Sequence, residues 1–475
     1  MFGYYLIITL LLAIGTFFNR NATIRILLLL LFLAAQTTIS VFGYVHLNSE
    51  ELGGNFKYES LSVLFLIVLT ILSFTTVFHS YRYLQNRKDS SRNKSVFFTA
   101  LIIMIGAMTS VYLSATIGIM WVLIEATTLS VAVLIYHERT HLSLEATWKY
   151  VFICSIGITF AFVGIVFLSK ALQEANSVNL SFSDIPGHLQ NINTFWLKLA
   201  FIFMLVGFST KMGLFPMHTI EVDANTVAPP PISAFISTAL LNVGFMAIFR
   251  TYSLMAHTSI LPWMNHILLW SGILSVFISA VYILRVSHLK RMFAYSSLEH
   301  MGLVAIGLAS GGIGYFASIL HMVLHSFIKA SVFYQIDQVY RVFNTFIVNK
   351  TGGYFQKNLT GAMVMLLIFI SITAIPPSGM FVSEFLIFRS LFESHRIAVF
   401  IFILLLLTMI MWAVGKNIFS MLFLPQAEPD GRIVKINPWE SSTQFALLAA
   451  AFYLGLNPPQ AFVQLINDAI LVLPK

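Results

Sequence analysis

Apolar residues run along this chain in blocks about as long as a bilayer is thick, parted by short stretches that carry charges, prolines or glycines. A helix needs about 20 predominantly apolar residues to span. The blocks predict roughly fourteen such helices, at 2–18, 24–46, 60–80, 96–114, 116–136, 147–169, 194–216, 232–255, 262–284, 294–310, 313–340, 360–388, 397–424 and 441–457. A short amphipathic helix is expected after Pro458–Pro459. The first block has no Lys or Arg before it, and Arg20 and Arg25 follow it. That is the reverse of a cleaved signal peptide, so a retained span is expected. The predicted fold is an all-α polytopic membrane protein.

Two blocks are interrupted. FSTKMGLFPMHTIEVDANTVAPPP places Lys211 just before Pro216, and SITAIPPSGMFVSEF places Pro376–Pro377 just before Glu384. Breaks of this kind are tolerated where freed backbone groups line a cavity or meet protein. Two discontinuous helices five spans apart point to an internal repeat whose copies run in opposite directions.

Ionisable residues recur inside the apolar blocks: Glu125, Lys149, Lys211, His300, His321, His325, Lys329 and Glu384. A charge at the bilayer centre costs about 2.5–3.5 kcal/mol on insertion scales, so partner charges or a water-filled path are expected. Glu125 and Lys211 suit a pair in which each holds the other charged; a structural carboxylate and an anchor for the broken helix are the rival readings. His321, His325 and Lys329 fall at i, i+4 and i+8 on one helical face, each step about 6 Å along the axis. Histidine titrates near neutrality and suits a relay; histidines packed against backbone are the alternative. Metal binding by the two histidines lacks a third ligand and the general base of an HExxH site, so none is expected. Glu299 and His300 are adjacent and face different ways, which favours His300 as the channel residue. Lys149 either joins the Glu125–Lys211 exchange or snorkels to the interface. Lys416 either pairs with Glu384 or snorkels. His218, Glu221 and Asp223 form either a proton inlet funnel or a solvated loop, and Lys290–Arg291 is expected to mark the inner membrane edge.

Composition narrows the class. Of 475 residues, 58% are hydrophobic and 10% charged, against about 25% charged in soluble domains. The formal charge of +8 is scattered over short loops without a basic stripe, so no nucleic-acid partner is expected. Cys154 is the one cysteine, which excludes intrachain disulfides and thiolate clusters. No cofactor motif appears, so any redox chemistry belongs to another chain. Positive charge also orients the spans: Arg20 and Arg25, the 82–94 loop, Arg139, Arg285, Lys290 and Arg291, Arg341, Lys350 and Lys357, and Arg432 and Lys435 all fall on one side. The positive-inside rule then favours both termini outside.

WVLIEATTLS around Glu125, KMGLFPMHTIEVDANTVAPPPISA from Lys211, LKRMFAYSSLEHMGLVAIGL from Leu289, HMVLHSFIKASVFY from His321 and IPPSGMFVSEF up to Glu384 occur in that order. With these motifs the chain, from about residue 60 to 425, resembles the antiporter-like membrane subunits of respiratory complex I, group 4 hydrogenases and Mrp-type cation/proton antiporters. SSLEHMGL and the asparagine of LLNVGF look closest to the hydrogenase-4 component F type. The resemblance implies a fourteen-helix fold: helices 1–3 over 1–95, two inverted five-helix repeats over 96–256 and 257–424, and a C-terminal helix with a short tail over 425–475. It implies proton translocation driven by electron transfer in a separate hydrophilic arm, in a bacterial or archaeal cytoplasmic membrane beside other membrane subunits. In the family pattern Glu125 and Lys211 are the first half-channel's charge pair, His321, His325 and Lys329 the central bridge, and Glu384 the terminal site. Where relatives often carry Lys or His in the eighth span this chain has Asn242, so water is expected to bridge that gap, or the halves work less directly.

The expectation is thus a proton-translocating subunit of an energy-converting hydrogenase or complex-I-like assembly. The alternative is a Mrp-type cation/proton antiporter subunit, or a membrane partner of proton-coupled inorganic-carbon uptake, with Na⁺ in place of H⁺ left open. A membrane scaffold without conduction would explain the helices and leave the buried charges unexplained.

Overall fold

The computed structural model describes residues 1–174, 180–189, 192–426 and 436–474. Arg432 and Lys435, which enter the charge asymmetry, lie outside the described residues. The first part of the chain folds as α1 (Phe2–Phe18), α2 (Ala22–Val45), α3 (Ser60–Gln85), α4 (Ser91–Leu113), α5 (Ile117–Ile135) and α6 (His141–Glu174). A short α7 (Ile185–His188) precedes α8 (Thr194–Met212), α9 (Thr219–Val227), α10 (Pro230–Phe235) and α11 (Leu241–Met255). Next come α12 (Leu261–Ile283), α13 (Leu289–Ser310), α14 (Ile313–Phe343), a short α15 (Tyr354–Lys357), α16 (Leu359–Ile372) and α17 (Gly379–Glu393). The chain closes with α18 (Ile397–Phe423), α19 (Ser442–Leu456) and α20 (Gln460–Ile470). A two-stranded hairpin, β1 (Glu50–Glu51) and β2 (Phe56–Lys57), joins α2 to α3.

Among the described residues eleven helices are long and apolar enough to cross a membrane, and a twelfth span results if the pair Pro438–Leu456 and Gln460–Ile470, bent by 68°, is counted as one. Two shorter apolar helices, α1 and α16, accompany them. The chain is a multi-pass all-α membrane protein.

Burial runs against apolarity. The spans Pro230–Met255 and Leu289–Ser310 and most of α14 are buried, whereas the most apolar helix, α18, is largely exposed. Lipid is as apolar as leucine, so apolar side chains gain little by facing inward. Polar side chains have nowhere else to go, and they collect in the centre of the bundle. Both predicted breaks are present. After α8 the chain turns through Gly213 and Pro216 into α9, and after α16 it turns through Pro376–Pro377 into α17. Between α10 and α11 the turn widens to a π-helix at Ile236–Leu240, and Tyr112 OH donates to the Ala239 carbonyl there at 2.9 Å. Gly311 and Gly312, at φ 75 and 54, separate α13 from α14 with almost no loop. The expected tail helix after Pro458–Pro459 is α20.

The two ends of the bundle differ. At one end the Met1 amino group meets Glu51 at 2.8 Å, and the Val472 carbonyl lies 3.0 Å from His257 Nε2. Both described termini thus share the hairpin's end. At the other end Glu440 binds Arg82 at 2.6 Å and also Arg341. Arg87 there pairs with Glu138 at 2.6 Å.

Candidate functional site: a buried titratable axis

Lys211 sits in the last turn of α8, which Gly213 stops in the left-handed conformation at φ 64, a region glycine enters without a Cβ clash. Packing is close here: a Cβ on Gly244 of α11 would fall 2.3 Å from the Met212 nitrogen. Lys211 Nζ is buried and donates to Thr128 Oγ1 at 2.6 Å and to Tyr150 OH at 3.2 Å. Thr128 Oγ1 lies 3.2 Å from Glu125 Oε2, and Ser155 Oγ donates to Glu125 Oε1 at 3.0 Å. A hydroxyl carries one proton and two lone pairs, so Thr128 can accept from Lys211 while donating to Glu125. The two charges are therefore linked through Thr128, and among the described residues they make no direct ion pair. Lys149 does not join them. It is exposed and pairs with Glu145 at 2.6 Å, because its neighbour Tyr150 takes the inward face and adjacent helical residues diverge.

The break after Lys211 brings in a carboxylate that the sequence left undecided. Glu221 on α9 is buried, 4% exposed, rather than part of a solvated loop. A Cβ on Gly213 would come within 1.9 Å of Glu221 Oε2, so Glu221 lies against the turn that follows Lys211. Its Oε1 accepts from Asn225 Nδ2 at 3.0 Å and from Ser237 Oγ at 3.4 Å, while Oε2 has no protein partner. Ser237 Oγ is 3.2 Å from Ser297 Oγ of α13, so hydroxyls link Glu221 to α13. Its neighbours diverge: Asp223 pairs with the exposed Arg291 at 3.8 Å, and His218 is half-buried.

α14 runs unbroken through the core and presents His321, His325 and Lys329 as its spacing predicts. Lys329 Nζ donates to the Phe293 carbonyl at 2.7 Å and lies within Coulombic reach of Glu299 and Glu221. His300 joins from α13: its ring lies 5.3 Å from that of His325, and its Nδ1 lies 3.2 Å from His321 Nε2. His321 Nδ1 in turn meets Ser383 Oγ at 3.0 Å. Glu384, the next residue on α17, places Oε1 3.9 Å from His300 Nδ1. A cavity of about 20 Å³ adjoins Glu384, with Glu299, Thr373 and residues of α18 in its wall; that is room for about one water. Both nitrogens of His325 and Nε2 of His300 lack a protein partner. Glu299 and His300 thus both belong to the buried set.

Asn242 is buried on α11 and exchanges hydrogen bonds with Ser326 of α14, at 2.9 and 3.1 Å. Lys416 does not reach Glu384; it is exposed, 5.3 Å over the Trp412 ring, because that face of α18 looks outward. Lys290, at the start of α13, is buried and donates to the Ala228 carbonyl, while its neighbour Arg291 is exposed. Arg250, in the second half of α11, is buried too: it donates to the Ser114 carbonyl at 2.6 Å, to Ser62 at 2.9 Å and to Glu59 at 3.2 Å. Helix-end cations cannot be assigned from a single span, since the helix that comes to lie beside them decides their burial. The sequence reasoning about metal also changes: His300, His321 and Glu384 bring three donor atoms together from three helices.

Residues 114–411 match the family described as NADH:quinone oxidoreductase/Mrp antiporter, TM. A "Hydrogenase-4 component F homolog" of Methylacidiphilum infernorum is 30% identical over 80% of this chain and 80% of its own length. In fold, a chain of the archaeal membrane-bound sulfane sulfur reductase superposes with a TM-score of 0.86 at 19% identity, covering 98% of this chain and 96% of that one. A chain of Thermus thermophilus respiratory complex I gives 0.83 at 17% identity over the whole of both chains. The motifs around Glu125, Lys211, His321 and Glu384 thus sit on the fold that those solved complexes share, and the chain belongs to the NADH:quinone oxidoreductase/Mrp antiporter transmembrane family as an antiporter-like membrane subunit.

Proposed function

We propose that this chain moves protons along the buried axis, as the membrane subunit of an energy-converting hydrogenase or complex-I-like assembly whose electron transfer takes place in a hydrophilic partner arm. The observation that carries the reading is the gathering of ionisable side chains into the core of the bundle. Glu125, Thr128 and Lys211 form one hydrogen-bonded group, and His321, His300 and Glu384 form a second whose closest approaches are 3.2 and 3.9 Å. Glu221 packs against the turn after Lys211, and Glu299 shares a cavity wall with Glu384. Buried ionisable groups in membrane helices are costly and are kept for pathways, and a scaffold has no use for them. In this reading Glu125 and Lys211 balance each other through Thr128. A change of charge at Glu221 or Lys329 alters that balance and passes a proton on. Glu221 takes the junction where relatives often use a titratable group in the eighth span, so Asn242 is not required to titrate.

Counting α1, α16–α17 and α19 as crossings brings the total to fourteen, with the inverted repeats at 96–256 and 257–424 and the broken helices α8 and α16 in corresponding places. Both termini then lie outside, in a bacterial or archaeal cytoplasmic membrane. Cysteines placed at Asn48 and Asn93 report the orientation: an impermeant thiol reagent applied to intact cells should label position 48 and spare position 93, and the opposite pattern refutes it. The function is tested by proton uptake into proteoliposomes holding the purified complex, driven by its own electron donor. Uptake that persists in Lys211→Met rejects it. The family's name also covers Mrp antiporters; movement of Na⁺ in place of H⁺ in the same vesicles would favour that reading.

A further inference from the structure

We infer that His300, His321 and Glu384 form a binding site for one transition-metal dication of the Zn²⁺ class, held between α13, α14 and α17. One donor atom from each residue lies within 4.8 Å of the other two, and all three side chains are buried. His300 Nδ1 and His321 Nε2 are 3.2 Å apart. Two nitrogens bound about 2.0–2.1 Å from a tetrahedral ion stand about 3.3–3.4 Å apart, so the histidine pair is already at ligand spacing. Glu384 Oε1, 3.9 Å from His300 Nδ1, closes the triad with a movement on the order of 1 Å. His321 Nδ1 lies 3.0 Å from Ser383 Oγ. A proton on Nδ1 donated to that hydroxyl leaves the Nε2 lone pair facing the site, which is how outer-shell partners orient metal-bound histidines.

The cavity of about 20 Å³ beside Glu384 has room for a water as fourth ligand, and Glu299 in its wall places a second carboxyl group near the site. Two imidazoles, one carboxylate and an open position suit Zn²⁺, Co²⁺ or Ni²⁺, whereas Mg²⁺ and Ca²⁺ require oxygen shells. The ligand atoms are also atoms of the proposed proton path, so a bound ion closes that path. This consequence rests on the proposed function; binding itself does not.

The test is titration of chelator-buffered Zn²⁺ into the detergent-purified protein, with Co²⁺ as the spectroscopic probe. Wild type should show the intense visible bands of tetrahedral Co²⁺ at one ion per chain, displaced by Zn²⁺. His321→Gln and Glu384→Gln should each weaken that binding by more than about 100-fold. Ser383→Ala, which keeps all three ligands, should weaken it by about 10-fold, as loss of an outer-shell partner does. Circular dichroism and monodisperse elution establish that each variant is folded; if a ligand variant fails that check, the Ser383→Ala shift carries the test. A wild type without the tetrahedral bands overturns the site, and so do bands unchanged in folded ligand variants. Proteoliposomes separate this inference from the function it touches. Zn²⁺ that binds at the triad and leaves proton uptake intact confirms the site and sinks the path through it. Absence of binding removes the site and leaves the path standing.

Discussion

Two of the polar clusters buried among the described residues are built on opposite principles. In the first, Gln36 of α2 accepts from Tyr5 OH at 2.5 Å and lies 3.3 and 3.1 Å from the hydroxyls of Thr70 and Thr109. Both ends of the carboxamide are partnered by α1, α3 and α4, and no member is a strong acid or base. In the second, the members around α14 are histidines, lysines and carboxylates, and His325, His300 and Glu221 all keep atoms without a protein partner. Hydrogen bonds between spans contribute about 0.6 kcal/mol on average, enough to make the Gln36 cluster useful as glue. Leaving buried polar atoms unpaired costs more than such a bond contributes. A site that retains them inside a membrane bundle is suited to hosting a proton or an ion in transit. Partnering, more than burial, distinguishes these two clusters.

The comparison can be broken from either side. Lys211→Met should have the largest effect, lowering proton uptake to below about a tenth of wild type in proteoliposomes, a loss of at least about 1.4 kcal/mol on the rate-limiting barrier. Glu221→Gln should lower the same uptake by about tenfold, because it preserves the shape of the carboxyl group and removes its ability to take up and release a proton; wild-type uptake would remove Glu221 from the axis. Thr128→Val keeps both charges and deletes only their shared hydroxyl, and an initial rate reduced by about threefold is expected. Asn242→Leu should change uptake by less than about twofold, since its contacts end on Ser326 and that hydroxyl retains the Met322 carbonyl at 2.8 Å. A loss matching that of Glu221→Gln would move the junction back to the eighth span. Gln36→Leu should be the mildest: uptake unchanged, and stability in detergent lowered by about 1 kcal/mol, read as a shift in thermal unfolding. If it stops uptake, partnering is the wrong criterion.

Much of the axis was legible in the chain because its signals are local. Helical period alone puts His321, His325 and Lys329 on one face. Proline and glycine chemistry alone predicts the interruptions after Lys211 and before Glu384, and the run of apolar residues alone predicts the spans. Other residues carried no such signal. Glu221 and Lys290 had charged neighbours at a helix end, which in a sequence looks the same whether the end is solvated or covered, and here α9 and α13 are covered. Lys149 and Lys416 lie in apolar stretches like Lys211, yet they face outward.

The sequence by itself determined that this protein spans a membrane many times, where its helices break, and that titratable groups are buried along one of them. Those properties follow from transfer free energy and backbone stereochemistry, which act on each segment separately. Only the tertiary structure decided which charges meet: that Thr128 stands between Glu125 and Lys211, that Glu221 closes against Gly213, that Asn242 is held by Ser326, and that His300, His321 and Glu384 converge from three helices. Such pairings depend on how helices far apart in the chain rotate and pack against one another, and in lipid that choice is made by close packing and hydrogen bonding rather than by apolarity.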